Sequence, residues 1–275
     1  MRTAFEIIHP SIEAENCTLL CEVSNEGFSY AIKDEEQNSF LCMAIYYFDK
    51  TTPPVGFPIA LQILFHGHPR LSEKFKKIII SYSFPESALI PFSLYDSSQN
   101  ANVLNLIHGD LHQNDAILTD VISKQSVYNS FRVPTAIYDL MQAQFSNALS
   151  IHQNTILLSQ NAPEKNELVV IFYAQKIVVS LIKDGKYQLV NTFNYQTAED
   201  ISYNLLNICE RFDVKNIDLR ISGLIEQNSA LYKEIYKYFN SIEFVCLPES
   251  KNCSEEISQY PSHFFSHIYA IDSCG

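Results

Sequence analysis

The sequence predicts an α/β protein in which one layout is written twice, each half opening with a three-stranded antiparallel meander in a mixed sheet flanked by helices. Alternating apolar residues mark three strands between residues 17 and 48, and three more between 168 and 193. Ile32-Lys33-Asp34 and Ile182-Lys183-Asp184 fall at the same place in the two meanders. After each meander the period changes to that of a helix and then returns to that of a strand.

In the first half, Cys17, Leu19, Cys21 and Val23 alternate with Thr18, Leu20, Glu22 and Ser24, giving a strand with one clearly apolar face. Asn25-Glu26-Gly27 supplies a turn, because asparagine and glycine tolerate positive φ. Phe28, Tyr30 and Ile32 resume the alternation. Phe40 to Phe48 is almost continuously apolar, the pattern of a strand buried on both faces. Phe57, Ala60, Leu61, Leu64 and Phe65 have amphipathic helical spacing. That helix stops at His66-Gly67-His68 before Pro69. Ile78, Ile80, Tyr82 and Phe84 form the fourth strand. A hairpin over Ala116 to Val133 and a helix carrying Ile137, Leu140, Met141 and Phe145 follow.

In the second half, Leu168 to Ala174, Ile177 to Ile182 and Tyr187 to Phe193 make the matching meander, with Asp184-Gly185 as a hairpin signal. Ile201, Leu205, Ile208, Cys209 and Phe212 share one helix face, capped by Thr197 with Asp200 three residues on. A strand at Ile217, Leu219 and Ile221 comes next. A helix with Leu231, Ile235, Tyr238 and Phe239 and a strand with Ile242, Phe244 and Cys246 complete the half. The polar stretch Ser159 to Asn166 is the joint. The expected domains are 1–163, with an inserted segment near 86–133, and 164–275.

A length of 275 residues can build such cores without staples, and 47% hydrophobic residues place the chain in the globular class. The net charge of -12 opposes binding to nucleic acid or to an anionic membrane. No run of apolar residues reaches membrane-helix length, and the first twenty residues carry Glu6, His9, Pro10, Glu13 and Glu15, so a soluble, cytoplasmic protein is expected. Seven cysteines without paired spacings fit reduced thiols.

A doubled unit of meander, helix, strand, helix and strand resembles the layout of the actin-like ATPase superfamily, a ribonuclease H-like fold that includes sugar kinases and the ATPase domain of heat-shock chaperones. Tyr260-Pro261-Ser262-His263-Phe264-Phe265, the terminal Cys274-Gly275 and the strand Phe28 to Ile32 are similar to an uncharacterised bacterial domain-of-unknown-function family with this fold. The superfamily resemblance implies ATP with magnesium, held by two phosphate turns and an adenosine loop. Its first phosphate turn usually reads Asp-x-Gly-x-Thr or Ser, whose carboxylate helps to hold the metal. This chain has Asn25-Glu26-Gly27-Phe28-Ser29, without that charge.

At the second phosphate turn the chain has Tyr173-Ala174-Gln175-Lys176, with neither aspartate nor glycine. The adenosine loop falls at Ser222-Gly223-Leu224, with one glycine in place of the superfamily's common pair. Seven glycines in the whole chain are about a third of average usage. The expected function is therefore a non-catalytic protein-binding scaffold on a degenerate actin-like fold. The alternative is an ATP-binding kinase or switch, with Asn25, Gly27 and Ser29 at the phosphates and Ser222 and Gly223 at the adenosine end.

Histidine groupings offer a third class. His108, Asp110 and His112 share a short segment, but Gly109 favours a loop. His263 and His267 with Cys253 and Cys274 match no finger or ribbon spacing, so structural roles are expected for both sets. No nucleophile elbow, Walker phosphate loop or dinucleotide turn occurs in the sequence. Carboxylate pairs such as Glu35-Glu36 and Glu199-Asp200 lie in polar turns and helix starts, where solvation and capping account for them.

Overall fold

The computed structural model describes residues 1–9, 12–110, 115–248 and 250–274, and divides into two compact units. The first comprises Met1–Ser159, Glu249–Gln259 and Ala270–Gly275; the second comprises Gln160–Pro248 and Tyr260–Tyr269.

The first unit is built from strands β1 (Arg2–Ile8), β2 (Cys17–Ser24), β3 (Gly27–Asp34), β4 (Ser39–Tyr47), β5 (Lys77–Ser83), β6 (Ser87–Pro91), β7 (Asp115–Ile122), β8 (Val127–Pro134) and β9 (Leu149–His152). Its helices are α1 (Phe57–Gly67), α2 (Asn100–His108), α3 (Thr135–Gln144) and α4 (Gln153–Ser159). The main sheet runs β1-β4-β3-β2-β5-β9, antiparallel through the meander and parallel from β2 to β5 to β9. Every residue of β4 is buried, as the continuous apolar run of Phe40 to Phe48 predicts, and so is every residue of β2, whose alternation marked only one apolar face.

The inserted segment folds as a smaller sheet, β6-β8-β7, carrying α2. Polar contacts join it to β9 of the main sheet and to α4. The His152 amide donates to Asp120 Oδ2 at 2.7 Å, and Asn129 Nδ2 donates to Thr155 Oγ1 at 3.0 Å. Burial raises the Asp120 pKa against the lowering effect of its hydrogen bonds with the His152 amide and the Thr155 side chain.

The second unit contains β10 (Glu167–Phe172), β11 (Lys176–Lys183), β12 (Lys186–Asn194), α5 (Ala198–Arg211), β13 (Asp218–Gly223), α6 (Ala230–Tyr236) and β14 (Ile242–Phe244). Its sheet order, β12-β11-β10-β13-β14, repeats that of β4-β3-β2-β5-β9, with the same sequence of antiparallel and parallel pairings. The correspondence extends to irregularities. Register shifts fall between Ile32 and Lys33 in one meander and between Leu181 and Ile182 in the other, within the shared Ile-Lys-Asp segment in the first case and just before it in the second. Asp184 and Gly185 have φ of 54° and 70°, as the tight hairpin requires. The capping box of Thr197 and Asp200 is present at the start of α5.

The C-terminal chain adds β15 (Asn252–Cys253), which pairs parallel with Ser39 and Phe40 of β4, and α7 (Glu255–Ser258). Asp272 is held there by Lys33 at 3.1 Å and Lys251 at 2.7 Å. The two lysines keep its pKa below the usual carboxylate range against the opposing effect of burial. Among the described residues, no helix is long and apolar enough to cross a membrane.

His267 is buried in the second unit, its ring 5.1 Å from that of Tyr173. Burial, with a smaller contribution from the Lys176 charge, lowers its pKa to about 3. Below the ordinary histidine pKa of 6.5 the unfolded chain takes up a proton that the folded chain refuses, so this residue's contribution to stability falls as pH falls from 6.5 towards 3. The expected slope is at most about 1.4 kcal/mol per pH unit. Urea unfolding of His267→Gln across that window should show a shallower loss than the parent protein; parallel curves would refute the assignment.

Candidate functional site

The five residues that the superfamily resemblance would put at a nucleotide, if one binds, fall into two groups, one in each unit. Asn25 is exposed at the turn between β2 and β3. Within that turn the Glu26 amide donates to Ser24 Oγ at 3.0 Å, and the Glu26 carbonyl accepts from the Phe48 amide at 2.8 Å. Gly27 is already strand, opposite Tyr47. A Cβ there would stand 1.9 Å from the Tyr46 carbonyl oxygen, so the glycine is required by the approach of β4. Ser29 is buried within β3, opposite Glu22 and Ile45.

In the second unit, Ser222 is buried in β13 opposite Ile171. Gly223 has φ +82°, and a Cβ would meet the Phe172 carbonyl oxygen at 2.2 Å. That oxygen accepts the Leu224 amide at 2.8 Å. Both glycines thus serve contact between backbone segments inside their own unit. At the other turn, Tyr173 donates its amide to the Lys176 carbonyl at 2.9 Å, closing a two-residue link, and its own carbonyl accepts the Tyr195 hydroxyl at 2.6 Å. Lys176 is buried, with its ammonium 5.0 Å from the Tyr173 ring centre.

A cavity of about 520 Å³ lies in the first unit at the carboxyl ends of the parallel strands β2 and β5, where open α/β sheets place their ligands. Asn25 lies on its wall, with Phe84, Pro85 and Glu86 from the segment after β5. Pro54 and Val55 come from the turn before α1, Phe57 and Pro58 from its first turn, and Pro134 to Ile137 from the junction of β8 with α3. The walls are chiefly apolar. Their charged part is Glu86, Asp115 and Arg132, and Arg132 is already committed: it donates to Glu86 Oε2 at 2.9 Å, to the Gly109 carbonyl at 3.2 Å and to Asn105 Oδ1. A phosphate in this cavity would face two carboxylates beside a guanidinium whose terminal nitrogens are engaged. An apolar side chain meets no such opposition.

The histidines go elsewhere. His108 bonds through Nε2 to the Ser87 carbonyl at 3.1 Å, and the grouping with Asp110 and His112 runs into residues 111–114, outside the described residues. His263 donates Nε2–H to the Ile225 carbonyl at 2.8 Å and packs its ring 4.2 Å from that of Phe244. Of the cavity's residues the sequence reading singled out only Asn25 as a site residue. The available signal was proline: Pro54 and Pro134 precede the helices α1 and α3, and Pro85 breaks the chain between β5 and β6.

Comparison with known proteins agrees with this architecture. The chain belongs to the family of proteins of unknown function DUF3822, whose model matches residues 9–242. It is similar to a Bacteroides thetaiotaomicron protein with an actin-like ATPase fold and unknown function: identity is 18%, the match covers 89% of this chain and 95% of that one, and the TM-score is 0.74. A chain of the PilM–PilN type IV pilus biogenesis complex matches at 11% identity, with 96% and 99% covered and a TM-score of 0.64. The cytoplasmic domain of EpsL, an inner membrane component of the Vibrio cholerae type II secretion system, matches at 12% identity, with 94% and 95% covered and a TM-score of 0.52. No curated protein matches the chain. The fold is therefore that of the actin-like ATPases, as the doubled meander implies.

Gly27→Ala and Gly223→Ala should each lower unfolding stability by about 2 kcal/mol or more, because the added methyl collides with carbonyl oxygens of paired strands. Urea denaturation measures this directly, and a change below about 0.5 kcal/mol would contradict the packing role.

Proposed function

We propose that this chain is a non-catalytic, protein-binding member of the actin-like fold, acting in the cytoplasm and taking an apolar segment of a partner protein in the cavity of its first unit. The observation that carries this reading is the contrast between an apolar cavity and two candidate phosphate turns without a phosphate grip. One turn lacks the metal-binding aspartate, and its glycine is consumed by strand packing. The other turn has neither residue.

The apolar surface continues outward from the cavity. Val55, in the turn before α1, and Ile59 and Ile63 on α1 are 83%, 61% and 69% exposed and follow one another at four-residue spacing. Such a row next to a cavity suits a partner's apolar side chains. Seven free cysteines fit a reducing compartment. The PilM–PilN structure is itself a complex of two proteins, which accords with this use of the fold. The repeated sheet order we take to be an internal duplication that has kept its packing and lost its paired phosphate turns.

Titration calorimetry with magnesium-ATP should give no saturable heat at micromolar nucleotide; clear saturation there would overturn the non-catalytic reading in favour of a nucleotide-dependent switch. The neutral dye Nile red should brighten on binding the protein, and Ala136→Trp, which fills the cavity from its exposed rim, should remove most of that signal. Equal binding to the filled variant would remove the cavity from the proposal.

A further inference from the structure

We infer that β12 is a self-association strand, pairing antiparallel with β12 of a second copy of this chain so that two five-stranded sheets join into one. It ends its sheet and is nine residues long. Its sequence, Lys186 to Asn194, contains strand-favouring Tyr187, Val190, Thr192 and Phe193, no proline or glycine, and a single charge at its first residue.

The other terminal strands of the two large sheets are shorter or protected. β14 has three residues and β9 four, while β1 carries Arg2, Glu6 and a bulge between Thr3 and Phe5. In the small sheet, β6 ends in Pro91 and β7 carries Asp115 and Asp120. Edge strands are normally blunted by such devices. Beyond Gln188, where its register shifts, β12 has none of them.

Its backbone polarity is fixed by the pairing with β11. Tyr195 donates its amide to the Gln175 carbonyl at 3.0 Å, and the register continues in steps of two through Phe193 opposite Ile177, Asn191 opposite Val179 and Leu189 opposite Leu181. These residues turn their amides towards β11, so Val190, Thr192 and Asn194 turn theirs outward. The Thr192 amide is met there by the side chain of its own neighbour, Asn191 Oδ1, at 2.8 Å.

A two-fold axis through Asn191 makes this edge self-complementary. Val190 faces Thr192 of the second copy as a hydrogen-bonded, β-branched pair, and Leu189 faces Phe193 as an apolar pair. On pairing, the Thr192 amide exchanges Asn191 Oδ1 for the facing Val190 carbonyl, and the two Asn191 side chains, freed from it, can bond to each other across the axis. Lys186 lies outside the paired residues, so the strand brings no like charges together although each chain carries a net charge of -12. The occupant is therefore a second copy. This pairing is independent of the cavity and of the partner proposed for it.

Sedimentation velocity on the full chain should show a dimer that grows in with concentration. Thr192→Pro removes an outward amide and no bond to β11, and it should weaken dimerisation at least tenfold while leaving the circular dichroism spectrum unchanged. Disulfide trapping checks the register on a background where the exposed Cys246 is replaced by serine. Asn191→Cys sits at a non-hydrogen-bonded pair close enough to form a disulfide with its counterpart, and mild oxidation should cross-link it. Asn194→Cys, displaced from its counterpart along the strands, should not cross-link. A chain that stays monomeric at every concentration, a dimer indifferent to Thr192→Pro, or cross-linking at position 194 in place of 191 would each overturn the proposal.

Discussion

Each unit hangs on its first meander strand, β2 or β10, which is hydrogen-bonded antiparallel to one neighbour and parallel to another. A strand in that position has no free edge, and its backbone polar groups are satisfied only by both neighbours. The parallel neighbour cannot be reached by a hairpin, so a crossover helix must intervene. That requirement accounts for α1 between β4 and β5 and for α5 between β12 and β13. The cores form where those helices cover the sheets, with Leu19, Cys21 and Val23 in one and Leu168, Val170 and Phe172 in the other.

The same constraint explains the fate of the turns. At the terminal residue of a strand the backbone of its paired neighbour can come too close for a Cβ, and only glycine then fits. Gly27 meets β4 and Gly223 meets β10 in this way. Glycine at these positions therefore serves strand packing whether or not a ligand is bound, and its presence alone carries no information about phosphate. The informative residues are those that packing does not require. Asn25, exposed beside a cavity with two carboxylates and a committed arginine, is one of them.

The cavity's charged groups show why its chemistry is hard to read from sequence. Glu86, Asp115 and Arg132 lie on separate segments, and Arg132 takes further partners from α2 and the residue beyond it. None of these residues forms a motif with another. The wall prolines are more visible, but proline at a strand-to-helix junction signals a break in structure before it signals a site.

Periodicity, turn chemistry and capping were legible in the sequence because they are local: a period of two or 3.6 residues, Asp184-Gly185 in a tight hairpin, and Thr197 with Asp200 at a helix start each act within a few residues. These features determined the fold class and most elements of both meanders. The sequence reading did not find β1, the short β9, or β15, whose two residues carry no pattern and are strand only because β4 is there to pair with them. Tertiary structure alone decided which glycines were committed to packing, where Arg132 found its partners and which strand was left as an open edge. Those outcomes depend on contacts between residues far apart in the chain, and a local pattern cannot encode them.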